Sequence, residues 1–233
     1  MTARYALYYV PSQDDQLYRE ASRWLGQDAY SGSRLERPSV AGLGSVDVEG
    51  LTADPRHYGF HATLKAPFEL ANDKTEAELI AAVENYCRDR QGFTAHLSVQ
   101  ALSVFLAFRL SEPSSDMQAF HEDCVRLFEP FRAPLSDFDY QRRRRPGMSE
   151  AQDRQLKDFG YPGIFQDFRF HMTLTGAIRD EAVRSSILAA LKSHFADLEG
   201  PHRVTGLGLF KQMDRDSDFT VIARGRFAGF AAV

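Results

Sequence analysis

Two short segments of the sequence carry the same pattern of side chains that could perform chemistry. Residues 60–64 read FHATL and residues 170–174 read FHMTL, so each segment places a histidine two positions before a threonine. A single pattern of this kind would say little in a chain with 7 histidines. Two copies flanked by the same Phe and Leu are hard to obtain by chance. The duplication therefore predicts one site assembled from two related strands.

Strand geometry gives this pattern a chemical meaning. Residues i and i+2 of a β-strand point to the same face, about 6.6 Å apart. His61 and Thr63 then present an imidazole beside a hydroxyl, and so do His171 and Thr173. If the two halves of the chain pack about a pseudo-twofold axis, the two pairs face each other across one cleft. We predict that these four residues are catalytic.

Such a pair of histidines suits in-line displacement at a phosphodiester. One histidine takes a proton from the attacking water and the other gives a proton to the leaving oxygen, and an unperturbed imidazole pKa of about 6.5 allows both states near neutral pH. The threonine hydroxyls would donate to the non-bridging oxygens. Neither motif contains Asp or Glu, so we expect no metal ion and no cofactor. The symmetry of the motifs leaves open which histidine is the base.

Other interpretations of these histidines stay open. Both could be strand histidines satisfied by local hydrogen bonds, or they could hold a metal ion with ligands from elsewhere in the chain. Residues 121–124 (HEDC) resemble a metal-ligand cluster, but they lie in an amphipathic helical pattern that favours a surface position.

Charged residues beside the motifs are candidates for substrate binding. Strand alternation predicts Lys65 on the face of His61 and Arg169 on the face of His171. We predict that both contact a phosphate or a neighbouring acidic group, with solvated charges at strand ends as the alternative. The four arginines at 142–145 are the strongest local positive charge. Their default interpretation is a solvated loop, and the alternative is a segment that closes over an anionic substrate.

The elements that carry the motifs recur in the same order in both halves of the chain. The order strand, helix, strand, strand that begins at residue 60 is repeated after residue 168. We therefore predict an α+β protein with two pseudo-symmetric lobes, each an antiparallel sheet with helices packed on it, and an active cleft between the lobes. Strand patterns lie near 4–10, 60–70, 97–102, 104–110, 168–177, 204–210 and 219–227, and helix patterns near 14–26, 75–87, 114–128, 149–160 and 180–198.

The predicted domain organisation is one two-lobed domain over residues 1–233. The lobe with the first motif covers about 1–135, the lobe with the second covers about 168–233, and the polar stretch 136–167 is a linker with an insert. Segment 28–57 shows no sustained periodicity and is rich in Gly, Ser and Pro, and a stretch of this length is usually functional or mobile.

Composition and charge exclude several classes of protein. A hydrophobic fraction of 43% and a charged fraction of 26% are ordinary for a soluble globular chain. The net charge of −4 gives no overall attraction to nucleic acid or membranes. Two isolated cysteines indicate no disulfide framework. No apolar run approaches about 18 residues and the start of the sequence lacks a signal-peptide layout, so we expect a cytoplasmic protein. We also expect a monomer that acts on a small phosphorylated substrate. Among nucleic acids, we expect it to bind at most short RNA ends.

The paired His-x-Thr strands resemble the two-histidine (2H) phosphoesterase superfamily, which includes RNA 2′,5′-ligase-like proteins and cyclic nucleotide phosphodiesterases. Residues 51–55 (LTADP), 58–68 (YGFHATLKAPF) and 168–176 (FRFHMTLTG) are more closely similar to a bacterial phosphonate-metabolism family. The resemblance covers nearly the whole chain and implies two lobes and metal-independent attack on a 2′,3′-cyclic or similar phosphodiester. Segments 28–57 and 142–146 lie outside the minimal superfamily pattern.

These observations predict a metal-independent phosphodiesterase that opens a small cyclic phosphodiester by His/His general acid-base catalysis. The resemblance favours a ribose cyclic phosphate in phosphonate metabolism as the substrate. Two alternatives remain: an RNA 2′,5′-ligase or RNA 2′,3′-cyclic phosphodiesterase-like activity, and a non-catalytic module that binds a nucleotide or a sugar phosphate.

Overall fold

A computed structural model describes residues 2–229 of the chain. The strands are β1 Arg4–Tyr9, β2 Ala62–Phe68, β3 Phe93–Leu102, β4 Phe105–Leu110, β5 His171–Thr173, β6 Gly200–Val204, β7 Gly206–Gln212 and β8 Thr220–Arg226. The α-helices are α1 Gln16–Leu25, α2 Val48–Leu51, α3 Ala53–Arg56, α4 Glu76–Asp89, α5 Ser115–Leu127, α6 Asp137–Arg143, α7 Glu150–Phe159 and α8 Glu181–His194. Single 3₁₀ turns lie at Glu129–Phe131, Phe165–Asp167 and Ala196–Leu198.

The named strands form one sheet in the order β6-β3-β4-β5-β2-β1-β7-β8, and each neighbouring pair is antiparallel. The two motif strands, β2 and β5, are neighbours at its centre. They share a single registered pair, Ala62 with Met172, so the sheet consists of two four-stranded halves that meet there. The predicted α+β class with antiparallel strands and packed helices is confirmed.

Each half of the sheet draws strands from both halves of the sequence. The strands β1 and β2 continue into the late hairpin β7–β8, whereas β5 pairs with the early hairpin β3–β4, and β6 pairs with β3. The sequence boundaries proposed at residues 135 and 168 therefore do not separate the two halves of the sheet. The cause is that α4 packs on β7 and β8 while the chain after it enters β3 in the other half. Strand order depends on such non-local pairing, which a pattern of local periodicity does not contain.

Local stop and start signals set the helix ends. Thr75 and Glu78 form the capping box predicted for α4, and Ser149 and Gln152 form the one predicted for α7. Gly160 ends α7 in a left-handed conformation with φ of 76°. Helix α8 packs on β3 and β4, and α5 packs on β2. Helices α5 and α8 thus cover the face of the sheet opposite to the one on which the motif side chains lie.

Strand β5 is much shorter than the predicted strand at 168–177. A 3₁₀ turn precedes it, and Phe165 has a φ of 55°. On its other side the backbone N–H of Leu106 donates to the Thr175 hydroxyl, at 3.0 Å, instead of to a carbonyl of a continuing ladder. The strand therefore ends soon after Thr173.

The insert predicted at 136–167 folds into two helices, α6 and α7, which pack on each other. Ser136 caps α6 by accepting a hydrogen bond from the backbone N–H of Asp139. Arg142 and Arg143 lie in the last turn of α6, where positive charge favours the helix C-terminus. Half of the arginine run is therefore helical, which differs from the predicted solvated loop.

Among residues 2–229, no helix combines the length and apolar character needed to cross a membrane.

Candidate active site

The central strand pair brings the two motifs together. Ala62 and Met172 are fully buried on one face, so their neighbours project from the other face. Because Ala62 pairs with Met172 in an antiparallel register, His61 lies opposite Thr173 and Thr63 lies opposite His171. His61, Thr63, His171 and Thr173 all line one cleft.

Both histidine rings are oriented by the backbone in the same way. His61 Nδ1 lies 2.9 Å from the Gly59 carbonyl oxygen, and His171 Nδ1 lies 2.6 Å from the Arg169 carbonyl oxygen. A carbonyl accepts only, so each Nδ1 carries the proton and donates. Each Nε2 is then the atom left for proton transfer. This symmetric arrangement is what a pair of general acid and base groups requires.

Gly59 makes the support of His61 possible. Its φ is +69°, a left-handed conformation that favours glycine. A Cβ at this position would lie 2.5 Å from the Ala29 Cβ. The sequence shows Gly59 next to the motif, but neither the turn nor the contact with Ala29 can be derived from that spacing.

The surroundings keep both imidazoles neutral. Burial, with a smaller effect of the nearby His171, lowers the pKa of His61 to about 4 against the opposing effect of the Gly59 carbonyl. Burial also lowers the pKa of His171, and so does Arg109, which is its partner in the register of β4 and β5. A bound anion would raise both pKa values.

Tyr8 completes the wall beside His61. Its ring stacks on the imidazole with centroids 3.9 Å apart and planes at 26°. Thr63 Oγ1 lies 3.4 Å from His61 Nε2. The hydroxyl therefore lies within reach of a group that contacts the same nitrogen. Tyr8 is buried and also lines the cleft.

The cleft has a volume of about 380 Å³, and its permanently charged lining residues are all positive. Four arginines belong to its wall, and none of the described lining residues is Asp or Glu. The lining residues are Arg4, Tyr8, Tyr58, His61, Thr63, Ala66, Pro67, Arg142, Arg143, Arg145, Tyr161, Pro162, His171 and Thr173.

The insert is therefore part of the cleft. Arg143 donates to the carbonyl of Pro67 on β2, at 2.7 Å, and to the carbonyl of Gly160 at the end of α7. These bonds hold the C-terminal end of α6 against the sheet. The alternative interpretation of the arginine run, a segment that closes over an anionic substrate, thus fits its position. The sequence favoured the default interpretation because the run lacks any pattern that fixes its position.

Lys65 does not line the cleft, and the predicted alternation fails there. On β1, Tyr8 and Leu7 pair with Thr63 and Lys65, so two steps along β2 match one step along β1. This bulge reverses the alternation. Lys65 is buried, and its Nζ lies 2.6 Å from a Glu129 carboxylate oxygen and 3.1 Å from the Val125 carbonyl oxygen.

Arg169 also lies away from the cleft. Its side chain is exposed and donates to the carbonyl oxygens of Gln166 and Phe168. It lines a separate groove together with Arg109 and Ser114. Its contribution to the site is the backbone carbonyl that holds His171. The irregular turn before β5 explains the failure of alternation, because Arg169 is not in a strand.

The HEDC pattern at 121–124 is not assembled into a metal site. His121 is buried, its Nδ1 lies 2.9 Å from the Leu64 carbonyl oxygen and its Nε2 accepts from the backbone N–H of Phe165. It joins α5 to β2 and to the segment before β5. Among residues 2–229, no group of three or more His, Cys, Asp or Glu side chains is arranged to hold a metal ion.

Comparison with known proteins places these features in context. Residues 63–220 match the sequence model of a family described as protein of unknown function DUF1045. Two proteins named ribose 1,5-bisphosphate phosphokinase PhnN are similar in sequence. That of Janthinobacterium sp. (strain Marseille) is 36% identical over 83% of this chain and 43% of its own length. That of Laribacter hongkongensis (strain HLHK9) is 31% identical over 93% of this chain and 50% of its own length. The chain thus spans about half the length of these relatives.

A solved structure shares the fold. Escherichia coli LigT complexed with 3′-AMP superposes with a TM-score of 0.50 and 13% identity, over 98% of this chain and 100% of that one. TT0787 of Thermus thermophilus has a TM-score of 0.48 and 12% identity, over 98% and 99%.

Proposed function

From the fact that the chain belongs to the DUF1045 family, a 2H phosphoesterase-like family, we propose that it hydrolyses a small cyclic phosphodiester by transferring protons through His61 and His171. One observation carries the proposal. Two imidazoles on adjacent strands are each anchored at Nδ1 by a backbone carbonyl, and both line a cleft with four arginines.

In the proposed reaction, His61 Nε2 accepts a proton from a water molecule as its oxygen bonds to phosphorus. The opposite phosphorus–oxygen bond breaks, and His171 Nε2–H gives a proton to the leaving oxygen. The products are a phosphate monoester and an alcohol. We assign the base to His61 because burial lowers its pKa to about 4, which keeps this ring neutral over a wide pH range.

The substrate's negative charge would prepare the acid. In the free site, burial lowers the pKa of His171 and so favours its neutral form. A phosphodiester anion beside it raises that pKa and so favours the imidazolium. Thr63 and Thr173 would donate hydrogen bonds to the non-bridging oxygens, where negative charge increases in the transition state. These steps use only side chains of the chain, so they do not require a metal ion.

The names of the relatives support a ribose phosphate as the substrate. Opening a ribose 1,2-cyclic phosphate at O2 leaves the phosphate on O1. If the sugar also carries a 5-phosphate, the product is ribose 1,5-bisphosphate, the compound after which both kinase relatives are named. Those relatives contain a segment similar to this chain and about as much sequence again. We propose that this chain supplies the substrate of that kinase reaction.

The test is a panel of cyclic phosphates incubated with the protein in EDTA, with products followed by phosphorus NMR. The panel contains ribose 1,2-cyclic phosphate, its 5-phosphorylated form and the nucleoside 2′,3′-cyclic phosphates. We expect turnover of a ribose compound, with the product phosphate on O1. Preference for the nucleoside compounds would favour the RNA-type activity. Binding without turnover from pH 5 to 9 would favour a binding module.

A further inference from the structure

The arginines of the cleft are not used by the proposed proton transfers. Arg4, Arg142, Arg143 and Arg145 line the same cleft as the histidines, and none of the described lining residues is a carboxylate. The whole chain has a net charge of −4. A wall of four guanidinium groups is therefore a local feature that runs against the overall charge of the protein.

Arg4 and Arg143 meet the sheet about four residues away from the histidine motifs. Arg4 begins β1, and Tyr8, which stacks on His61, lies four residues further on. This separates the two positions by about 13 Å at the backbone. On β2, the Arg143 guanidinium is held by Pro67, again four residues beyond Thr63. One substrate can therefore contact the histidines with one group and the arginines with another.

Neutral acceptors hold Arg4 and Arg143 in place, and a single carboxylate, Asp139, pairs with both Arg142 and Arg215. Arg4 donates to Gln212 Oε1, a neutral acceptor, and Arg143 donates to two backbone carbonyls. Arg142 lies 3.0 Å from Asp139, but Arg215 shares that carboxylate. An arginine has five N–H donors, so a guanidinium held by two bonds can still donate to a ligand.

Among the four arginines of the cleft lining, Arg145 has the fewest hydrogen bonds and ion pairs to other described residues. It is exposed, and its side chain has no hydrogen bond or ion pair to any residue between 2 and 229 that the structure records.

Positive charges are also crowded around Arg4. Burial lowers the pKa of Arg4, and the positive charges of Arg215 and Arg142 lower it further. Groups crowded in this way are stabilised by a bound anion.

We propose that the arginine-lined part of the cleft is a subsite for a second anionic group, a terminal phosphate monoester carried by the same small molecule whose cyclic phosphodiester lies between the histidines. The inference rests on the proposed function and narrows it to cyclic phosphates of small sugars that bear a second phosphate. Several guanidinium groups match a phosphate monoester, which offers three acceptor oxygens and about two negative charges. The volume of about 380 Å³ suits a molecule of that size.

The test measures binding without any turnover. Isothermal titration calorimetry compares pentane-1,5-diol bisphosphate with pentyl phosphate as probes, on wild type and on Arg145→Met. A second variant, Arg142→Met, covers the case in which one change is compensated by a neighbour. The matched control is Arg144→Met, which removes one charge from the same insert at an exposed residue outside the cleft lining.

We expect wild type to bind the bisphosphate at least about tenfold more tightly than the monophosphate. Arg145→Met should lower the affinity for the bisphosphate about ten- to hundredfold and that for the monophosphate by less than about threefold. The control should change neither. Equal affinity of wild type for both probes, or an equal loss in Arg144→Met, would overturn the subsite.

The two proposals can fail separately. A preference for the bisphosphate in a protein that hydrolyses none of the cyclic phosphates would support the subsite and contradict the proposed function. Turnover of cyclic phosphates with no preference for a second phosphate, in binding or in kcat/KM, would support the proposed function and contradict the subsite.

Discussion

At the scale of single residues, the two histidines have the same anchor but different neighbours. Each Nδ1 donates to the carbonyl two residues earlier, at Gly59 or Arg169. The ring of His61 is stacked on Tyr8, whereas His171 has Arg109 as its register partner. The motifs therefore define a symmetric site in sequence that becomes chemically asymmetric once folded.

This asymmetry predicts the pH dependence of catalysis. The base must be unprotonated, so kcat/KM falls as pH drops through the pKa of His61, which burial lowers to about 4. The acid must be protonated, so kcat/KM falls as pH rises through the pKa of free His171, which burial lowers below its usual value of about 6.5. We expect the optimum of kcat/KM to lie below pH 6.5, and the basic limb of kcat to lie at higher pH because bound substrate raises the pKa of His171.

A pH series from 4 to 9 under initial-rate conditions checks this expectation. An acidic limb of kcat/KM centred near 6.5, together with an optimum above pH 7, would contradict the assignment of a partly buried, neutral His61 as the base.

At the scale of elements, the turn before β2 fixes the position of His61. Gly59→Ala places a Cβ against Ala29 and strains a backbone with φ of +69°. The conformation alone costs about 1–2 kcal/mol. We expect a lower Tm and at least a tenfold loss of kcat, because the carbonyl that holds Nδ1 must move.

Gly147→Ala is the matched control, since Gly147 has a φ of +81° and no atom within 4 Å of a built Cβ. It should show the strain in Tm with kcat nearly unchanged. Equal effects of the two variants on kcat would contradict the positioning of His61 by Gly59.

The bulge in β2 leads to a prediction for Lys65. Because Lys65 contacts Glu129 and Val125 on the buried face, Lys65→Met should lower the free energy of unfolding by about 1–3 kcal/mol and leave KM within about twofold of wild type. Lys74→Met, at an exposed ion pair with Asp73, should leave the free energy of unfolding nearly unchanged. Urea unfolding measures the free energy of unfolding of both variants, and initial rates measure their KM. A tenfold rise in KM without loss of stability would restore Lys65 to substrate binding.

Much of the element structure could be predicted from the sequence, because its causes are local. The capping boxes at Thr75 and Ser149 and the helix end at Gly160 follow from neighbouring residues. The exchange of hairpins between the halves of the sheet, the bulge before Lys65 and the docking of Arg143 on Pro67 all depend on contacts between distant residues. The histidine motifs were informative because they are duplicated. A lone arginine run had no second copy to align with.

At the scale of the whole molecule, the charge of the cleft is opposite in sign to the net charge of the chain. The chain has a net charge of −4, yet its cleft is lined by four arginines. Attraction of an anionic substrate to these arginines would be screened by salt, since the Debye length falls from about 10 Å at 0.1 M to about 3 Å at 1 M.

We expect KM for an anionic substrate to rise several-fold between about 0.05 and 0.5 M KCl while kcat changes little. Arg145→Met should show a smaller salt dependence, because it removes one of the charges that are screened. A KM that does not depend on salt would contradict electrostatic binding by this wall.

The central claim is that both histidines transfer protons to and from a phosphodiester. Its most direct test is the rate of hydrolysis of the best cyclic phosphate in EDTA, for wild type, His61→Gln and His171→Gln. His96→Gln serves as the control, because His96 is partly exposed, pairs with Glu112 and lies outside the cleft lining. We predict a loss of about 10²- to 10⁴-fold in kcat for each variant of the cleft histidines and none for the control. Either cleft variant, folded as wild type, that keeps the wild-type rate would contradict the account.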